Sequence, residues 1–315
     1  MRYKKLCENG PDVSVIGFGA WGISGKDWGK TDDRISETAI HAALDSGVNF
    51  LDTADVYGEG HSDRLIKKVL AERKRENVVV ATKCGSDFYN FKDAQGNVVI
   101  TPNYKKEYLI FSAEESLKRL GVETLDVLQL HSPSTDILNT DEPWEALYQL
   151  KKAGKIRFAG LSVQSFKENE QLDVISSHKE LLNVLQVRYN LFERGGEEKL
   201  FPYCEKNGIG VIARIPLLFG FLTGKFNSAS KFEGNDHRRF NLSPEKLKEY
   251  LAKLNEYETF FENNSNFTNA QLSLGFVINH PAISCAIPGG KTPLQIFENI
   301  KATQIPSKIY SSLGH

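Results

Sequence analysis

The chain has 315 residues, with 39 lysines and arginines against 40 aspartates and glutamates, so no global field would draw it to nucleic acid or to an anionic membrane. A 40% hydrophobic share that includes 19 Phe and 11 Tyr can fill a large core, and the 25% charged fraction argues against disorder. Cys7, Cys84, Cys204 and Cys285 lie far apart with no CxxC pair, which argues against a zinc site and a secreted disulfide scaffold and predicts reduced thiols in a cytoplasmic protein.

The opening MRYKKLCENGPDVSVIGFG has no apolar core of signal-peptide length, and the most apolar later stretch, 208–223, carries Arg214. Neither export nor a membrane span is expected. Arg2 to Leu6 and Val13 to Ser14, around Asn9-Gly10, read as a small hairpin plugging the bottom of a barrel. Val13 to Phe18 reads as a strand and Asp32 to Ser46 as a helix, with Thr31 as its N-cap and Gly47 just past its end. Strand Phe50 to Asp52 then precedes helix Ser62 to Ala71. Strand Val78 to Thr82 precedes a long insertion and helix Tyr104 to Leu120. Leu125 to Leu130 is followed by helix Glu142 to Ala153, Ile156 to Leu161 by Phe166 to Ser176, and Val184 to Val187 by Glu197 to Asn207.

The seventh strand, Gly210 to Ile215, leads into an irregular loop to Asn241 and helical stretches at Pro244 to Phe261 and Asn269 to Asn279; the eighth, Ala282 to Ile287, leads into helix Leu294 to Ile300. The strand runs are apolar throughout, as strands buried on both faces should be. Eight strands, each followed by a helix, predict one α/β domain over 1–315, a (β/α)8 TIM barrel with right-handed crossovers.

Polar residues that can do chemistry close three of these runs: Asp52, Lys83 and His131, with Tyr57 in the loop Ala54 to Gly60. Residues at successive strand ends share the catalytic rim of such a barrel. A phenol, with a reference pKa of about 10, is too weak an acid alone. A lysine ammonium nearby stabilises the phenolate and should lower that value, and an aspartate keeps the lysine charged and oriented. A neutral imidazole can donate to a developing alkoxide or relay a proton. The four residues therefore suit protonation of a carbonyl beside a nicotinamide cofactor.

Gly17-Phe18-Gly19-Ala20-Trp21-Gly22 matches GxGxxG, but helix periodicity begins only near Asp32, so a Rossmann fingerprint is not expected. Gly220 to Lys225 is one residue short of a Walker loop. Ile287-Pro288-Gly289-Gly290-Lys291-Thr292 is the better cofactor signal: a Gly-rich turn meets a helix start after the eighth strand, where such barrels bind phosphate. Lys291 and Thr292 offer a cation and a hydroxyl for a ribose 2'-phosphate, so NADP(H) is expected rather than NAD(H). Trp21, Trp28 and Phe88, with Tyr89 and Phe91, belong to loops on the catalytic rim and are candidates to wall a substrate pocket; Asp55, Asp87 and Arg238 are candidates for polar substrate contacts.

The sequence resembles the aldo-keto reductase superfamily over nearly its whole length. The resemblance rests on GFGAWG, LDTADVYGEGHSD, ATK ending at Lys83, LDVLQLHSP, GKIRFAGLS, LQVRYNLF, PLLFGFLTGKF and IPGGKTPLQIFEN. It places a catalytic tetrad on Asp52, Tyr57, Lys83 and His131, with Tyr57 as general acid or base and no metal. It implies an extended NADPH whose carboxamide meets Ser162 and Gln186, and whose pyrophosphate is covered by the loop through Pro216, Leu217, Gly220, Leu222, Gly224 and Lys225. The adenosine end would use Gly289, Lys291, Thr292, Gln295, Glu298 and Asn299. Two residues depart from the family pattern: Val163 follows Ser162 where asparagine is frequent, and Arg214 stands where many members stack a tyrosine on the nicotinamide. The implied partner is a small carbonyl substrate, with a monomer favoured. The resemblance extends to ion-channel beta subunits, so an NADP(H)-binding redox sensor is the alternative, and a sugar-phosphate isomerase on the same barrel is a third, weaker possibility.

Overall fold

Strands flanked by helices on one side and by one another on the other have no face left for water, and the apolar runs behave accordingly. The computed structural model describes residues 1–314 except Lys30, Lys74, Glu233 and Asn235, and leaves out the Glu76 side chain. His315, at the end of the expected domain, and Glu233 and Asn235, in the expected loop to Asn241, therefore lie outside the described residues. A hairpin of β1 (Tyr3–Lys5) and β2 (Asp12–Ser14) comes first. The central sheet runs, in spatial order, β3 (Phe18–Gly19), β4 (Phe50–Asp52), β5 (Val79–Cys84), β8 (Leu125–His131), β9 (Ile156–Ser162), β10 (Leu182–Arg188), β11 (Gly210–Arg214) and β12 (Ile283–Ala286), with every neighbour parallel. Parallel bridges Ile16–Ala286 and Gly19–Gly289 join the first strand to the last, which makes this a (β/α)8 barrel. The short pair β6 (Ser86–Asp87) and β7 (Thr101–Pro102) closes the insertion after β5.

The crossover helices are α1 (Asp33–Asp45), α2 (His61–Ala71), α3 (Lys106–Leu120), α5 (Glu142–Lys152), α6 (Leu172–Ser177), α7 (Leu200–Lys206), α11 (Asn269–Asn279) and α12 (Pro293–Lys301). Among the described residues four further helices decorate the loops: α4 (Thr135–Leu138), α8 (Arg238–Asn241), α9 (Pro244–Asn255) and α10 (Glu258–Asn263). Among the described residues no helix is long and apolar enough to cross a membrane.

Two apolar clusters result. A large one lies between sheet and helices. A smaller one fills the barrel with Phe50, Val79, Ala81, Val127, Val184, Ile212 and Cys285, and is closed below by Leu6, Cys7 and Val13 of the hairpin. The hairpin is fastened through polar groups as well: Lys4 Nζ donates to the carbonyls of Ile278, His280 and Ile283 at 3.3, 3.0 and 2.7 Å, and Ser284 Oγ donates to Leu6 O at 3.0 Å.

Several boundaries differ from the periodicity. The run Val13 to Phe18 is divided, its first part pairing in the hairpin and only Phe18–Gly19 forming the barrel strand. Between them the chain squeezes past β4 and β12 at Gly17, where a Cβ would sit 2.9 Å from Cys285 Sγ and 3.0 Å from Phe50 O. The N-cap of α1 is Asp32, whose carboxylate accepts from Ile35 N at 3.0 Å, and not Thr31. The expected helix from Phe166 starts only at Leu172, because Phe166 takes φ 64° and its N–H is held by Glu168 Oε1 at 3.1 Å. The stretch Pro244 to Phe261 breaks at Glu256 and Tyr257 into α9 and α10.

The seat of the hairpin generates a test. A Cβ on Gly210 would lie 1.6 Å from Leu6 O, so Gly210→Ala must lift the hairpin off β11. The expected cost is roughly 3 kcal/mol, at the upper end for overpacking; an unchanged midpoint in urea unfolding would contradict this seating.

Candidate active site

The carboxyl ends of β4, β5 and β8 bring three side chains to one rim, and the loop after β4 brings the fourth. Asp52 ends β4, Lys83 stands one residue before the end of β5, and His131 ends β8. Lys83 is 1% exposed. Its ammonium donates to Asp52 Oδ2 at 2.7 Å, to Thr53 O at 2.8 Å and to Tyr57 Oη at 3.4 Å, so all three of its protons have acceptors. The ring of His131 stands nearly perpendicular to that of Tyr57, with centroids 6.0 Å apart, and the Trp21 indole lies almost parallel to Tyr57 at 5.9 Å. The four residues expected to work together are together.

The loop that carries Tyr57 is tied at its base. Thr53 Oγ1 donates to Asp63 Oδ1 at 2.9 Å across the two ends of the loop, and Arg119 of α3 donates to Asp63 Oδ2 at 3.0 Å. Gly58, at φ 60°, approaches so closely that a Cβ would lie 2.1 Å from Ser24 O, which leaves room only for glycine.

Electrostatics correct one expectation. Burial raises the Tyr57 hydroxyl above the usual tyrosine value; the Lys83 charge pulls it down but does not overcome burial. The resting phenol is thus protonated, with the Lys83 ammonium beside it and able to stabilise negative charge on its oxygen. For Lys83, burial alone would lower the pKa, yet Asp52 and Tyr57 reverse this and the ammonium titrates above its ordinary value. Burial, with help from the charges of Lys83 and Arg214, pushes His131 down to about 3, so its imidazole is neutral.

From this corner a cleft of about 890 Å³ runs across the barrel mouth toward α12. Asp52, Tyr57 and His131 line it, as do Ser162, Gln186, Arg214, Pro216, Leu217, Gly220, Lys225, Gly289, Lys291, Gln295, Glu298, Asn299, Trp21 and Trp28. Lys83 lies behind Tyr57. Other expected positions lie off the cleft: Leu222 is buried in the core, Gly224 ends a turn at φ 77°, and Thr292 caps α12, accepting from Gln295 N at 3.3 Å. Phe88 stacks on Tyr89 at 4.1 Å, away from the cleft. Asp55 is buried against Ser112 Oγ at 2.7 Å, with a carboxyl that burial pushes up to about 7, and Asp87 binds Asn90 and Asn103; neither lines the cleft.

Within the cleft Gln186 Nε2 donates to Asp52 Oδ1 at 2.7 Å and Ser162 Oγ meets Ser132 Oγ at 3.1 Å. Trp28 Nε1, His131 Nδ1 and Arg214 Nε are buried in its walls with no partner among the described residues, the state expected of groups that a ligand completes. Glycines 19, 289 and 290 line it with backbone. Lys225, Arg238 and Lys291 line one end, where burial, reinforced by the Arg238 charge, lowers the values of both lysines. Asp236, bound by Arg238, is the carboxylate beside them. Among the described residues the three cations outweigh the Asp236 carboxylate, so this end of the cleft suits an anion.

The cleft also holds Asp27, Arg188 and His237, which sequence reasoning missed, and Arg238, which it weighed. His237 N donates to Asp27 O at 2.7 Å, the Trp21 indole donates to Asp27 Oδ2 at 3.1 Å, and the His237 ring lies 4.7 Å from that indole. The loop before α8 therefore packs on the loop after β3, over some 210 intervening residues, a contact with no local signal.

A family model described as the aldo/keto reductase family matches residues 15–312. Aldo-keto reductase YhdN of Bacillus subtilis is 32% identical, the match covering 94% of this chain and 87% of that protein. A probable voltage-gated potassium channel subunit beta of Arabidopsis thaliana is 30% identical, covering 97% and 92%. Among solved structures, a glycerol dehydrogenase of Gluconobacter oxydans superposes with a TM-score of 0.81 at 31% identity, covering 99% and 93% of the two chains.

The burial of His131 makes a pH prediction. An unfolded histidine takes a proton near pH 6.5, whereas the folded one waits until about 3. Between these values only the unfolded chain gains the proton, so this residue's contribution to stability is present above pH 6.5 and is lost as pH falls toward 3. In NMR the His131 imidazole should stay neutral from pH 8 to pH 5; a His131 resonance titrating near 6.5 contradicts the burial.

Proposed function

Since the chain belongs to the aldo/keto reductase family and is thereby an oxidoreductase acting on carbonyl groups, we propose that it reduces an aldehyde or ketone, sugars included, with NADPH. The whole chain works as a single domain, and the monomer suffices for the site. The observation that carries this reading is the convergence of the Lys83 ammonium on Asp52, Thr53 O and Tyr57 Oη at the wall of a cleft with unpartnered polar atoms.

The residues fit a nicotinamide dinucleotide. Ser162 and Gln186 would hold the carboxamide, the stretch from Pro216 to Lys225 the pyrophosphate, and Gly289, Lys291, Gln295, Glu298 and Asn299 the adenosine end. When bound, the cofactor supplies the hydride. Tyr57 donates the proton to the carbonyl oxygen; Lys83 stabilises the phenolate left behind, and Asp52 holds Lys83 charged. His131, being neutral, can donate to the same oxygen without carrying a charge of its own. Trp21 and Trp28 wall the space before Tyr57 and exclude water from it. The anion site of Lys225, Arg238 and Lys291 is what favours NADPH over NADH.

The channel-subunit relative supports a second reading, a redox-sensing binding protein with the same barrel and cofactor. Titration with NADPH and NADH, followed by a screen of aldehydes, ketones and sugars, separates the two: steady turnover supports the reductase, while tight binding with negligible turnover on every carbonyl supports the sensor. Tyr57→Phe should lower turnover by roughly 10²- to 10⁴-fold with NADPH affinity nearly unchanged; retained turnover refutes the role of Tyr57. Lys291→Ala should weaken NADPH by roughly tenfold, the scale of one charged hydrogen bond, and leave NADH unaffected in the same fluorescence titration.

A further inference from the structure

Two arginines stand side by side at the ends of neighbouring strands, Arg188 on β10 and Arg214 on β11, in register with one another. Arg188 is neutralised: its guanidinium forks onto Glu193, with Nε and Nη2 at 2.6 and 2.5 Å from the two carboxylate oxygens. Arg214 is not. Its Nη2 donates to Val163 O at 3.0 Å and to Ser165 Oγ at 2.9 Å, its Nε is buried without a partner, and it forms no ion pair with any described residue.

These two bonds fix where the charge sits. The side chain starts on β11 and ends just past the end of β9, so it must cross β10. The β10 residue one layer deeper in the barrel is Gln186, which is in register with Ser162 of β9. The guanidinium therefore lies over the Ser162–Gln186 pair, in the wall of the cleft. Its field reaches the catalytic corner, where it acts on both Tyr57 and His131.

We propose that Arg214 sets the redox preference of the site, making the protein bind reduced nicotinamide more tightly than oxidised. This rests on the cofactor reading above, in which Ser162 and Gln186 hold the carboxamide. The oxidised ring carries a full positive charge and the reduced ring none, while phosphates, riboses and adenine are common to both. A guanidinium beside the ring that has no ion-pair partner, with the Glu168 and Glu193 carboxylates acting on it only from beyond ion-pair distance, therefore repels one form and is indifferent to the other. In alcohol oxidation the substrate carbon gives up a hydride to the oxidised ring and the substrate oxygen gives up a proton to the Tyr57 phenolate, so the positive charge on the ring is discharged. Arg214 favours that discharge but also attracts the phenolate consumed with it, so its effect is read in the binary cofactor complexes, where Tyr57 stays a phenol.

The test needs no substrate. Dissociation constants for NADPH and NADP+ are measured by fluorescence and calorimetric titration at one ionic strength, for wild type, Arg214→Lys, Arg214→Met and Arg214→Gln, with thermal unfolding as a check on folding. Wild type should hold NADPH roughly tenfold or more tightly than NADP+; the neutral variants should shrink that ratio by about tenfold, and Arg214→Lys should keep most of it. The two neutral variants differ in polarity, so one remains usable if the other fails to fold, and the ratio does not depend on the folded fraction. A ratio unchanged in the neutral variants, or a wild type that binds both forms equally, overturns the proposal and leaves the cofactor reading intact. A wild type that binds neither overturns both.

Discussion

An ammonium group almost wholly withdrawn from water keeps its charge only if the protein replaces every lost hydration contact, and an anion must be among the replacements. Lys83 meets that condition through Asp52, Thr53 O and Tyr57 Oη, and much of the surrounding architecture follows from it. Adjacent parallel strands β4 and β5 put the carboxylate and the ammonium on the same side of the sheet: Asp52 is in register with Ala81, and Lys83, two residues further along β5, faces the same way. Asp52 has a second oxygen to satisfy, and Gln186 from the opposite side of the barrel does so at 2.7 Å. The pair thus ties the first half of the barrel to the second, and Gln186, expected to touch a ligand, is oriented by the carboxylate that holds the Lys83 ammonium.

Labour is divided along the chain. The residues proposed for proton chemistry come from 52–131, where the loop that carries Tyr57 is pinned by Thr53, Asp63 and Arg119. The binding cleft is drawn mainly from residues 162–299, where glycines and irregular turns expose backbone. The rigid half needs fixed geometry; the other half needs room for a long ligand.

Reading the sequence found what depends on local pattern. Apolar runs ending in Asp52, Lys83 and His131 put these side chains on one rim because a parallel barrel leaves only strand ends free for polar groups, and helix stops such as Gly47, at φ 87°, are backbone requirements that show in composition. What it missed depends on distant contacts. The two-residue β3 is set by how Gly17 passes Cys285 and Phe50, from two other strands. Thr292 and Leu222 fall where the family resemblance puts ligand contacts, yet a cap bond and the direction of a turn point them elsewhere. The sign of the Lys83 effect on Tyr57 was readable from charge, but the larger opposing effect of burial is a property of the folded cleft. Asp27 and His237 meet only through tertiary structure.

The bridges that join β3 to β12 form the thinnest part of the barrel wall: Phe18–Gly19 is its shortest strand, and Gly19 meets Gly289 through a single isolated bridge. Both glycines also line the cleft, so a molecule lying against them spans the seam and fastens its two sides as a staple would. Closure of the barrel and occupancy of the groove are then thermodynamically linked, each tightening the other by mass action. Starvation for the ligand would loosen the wall first where the chain's beginning meets its end.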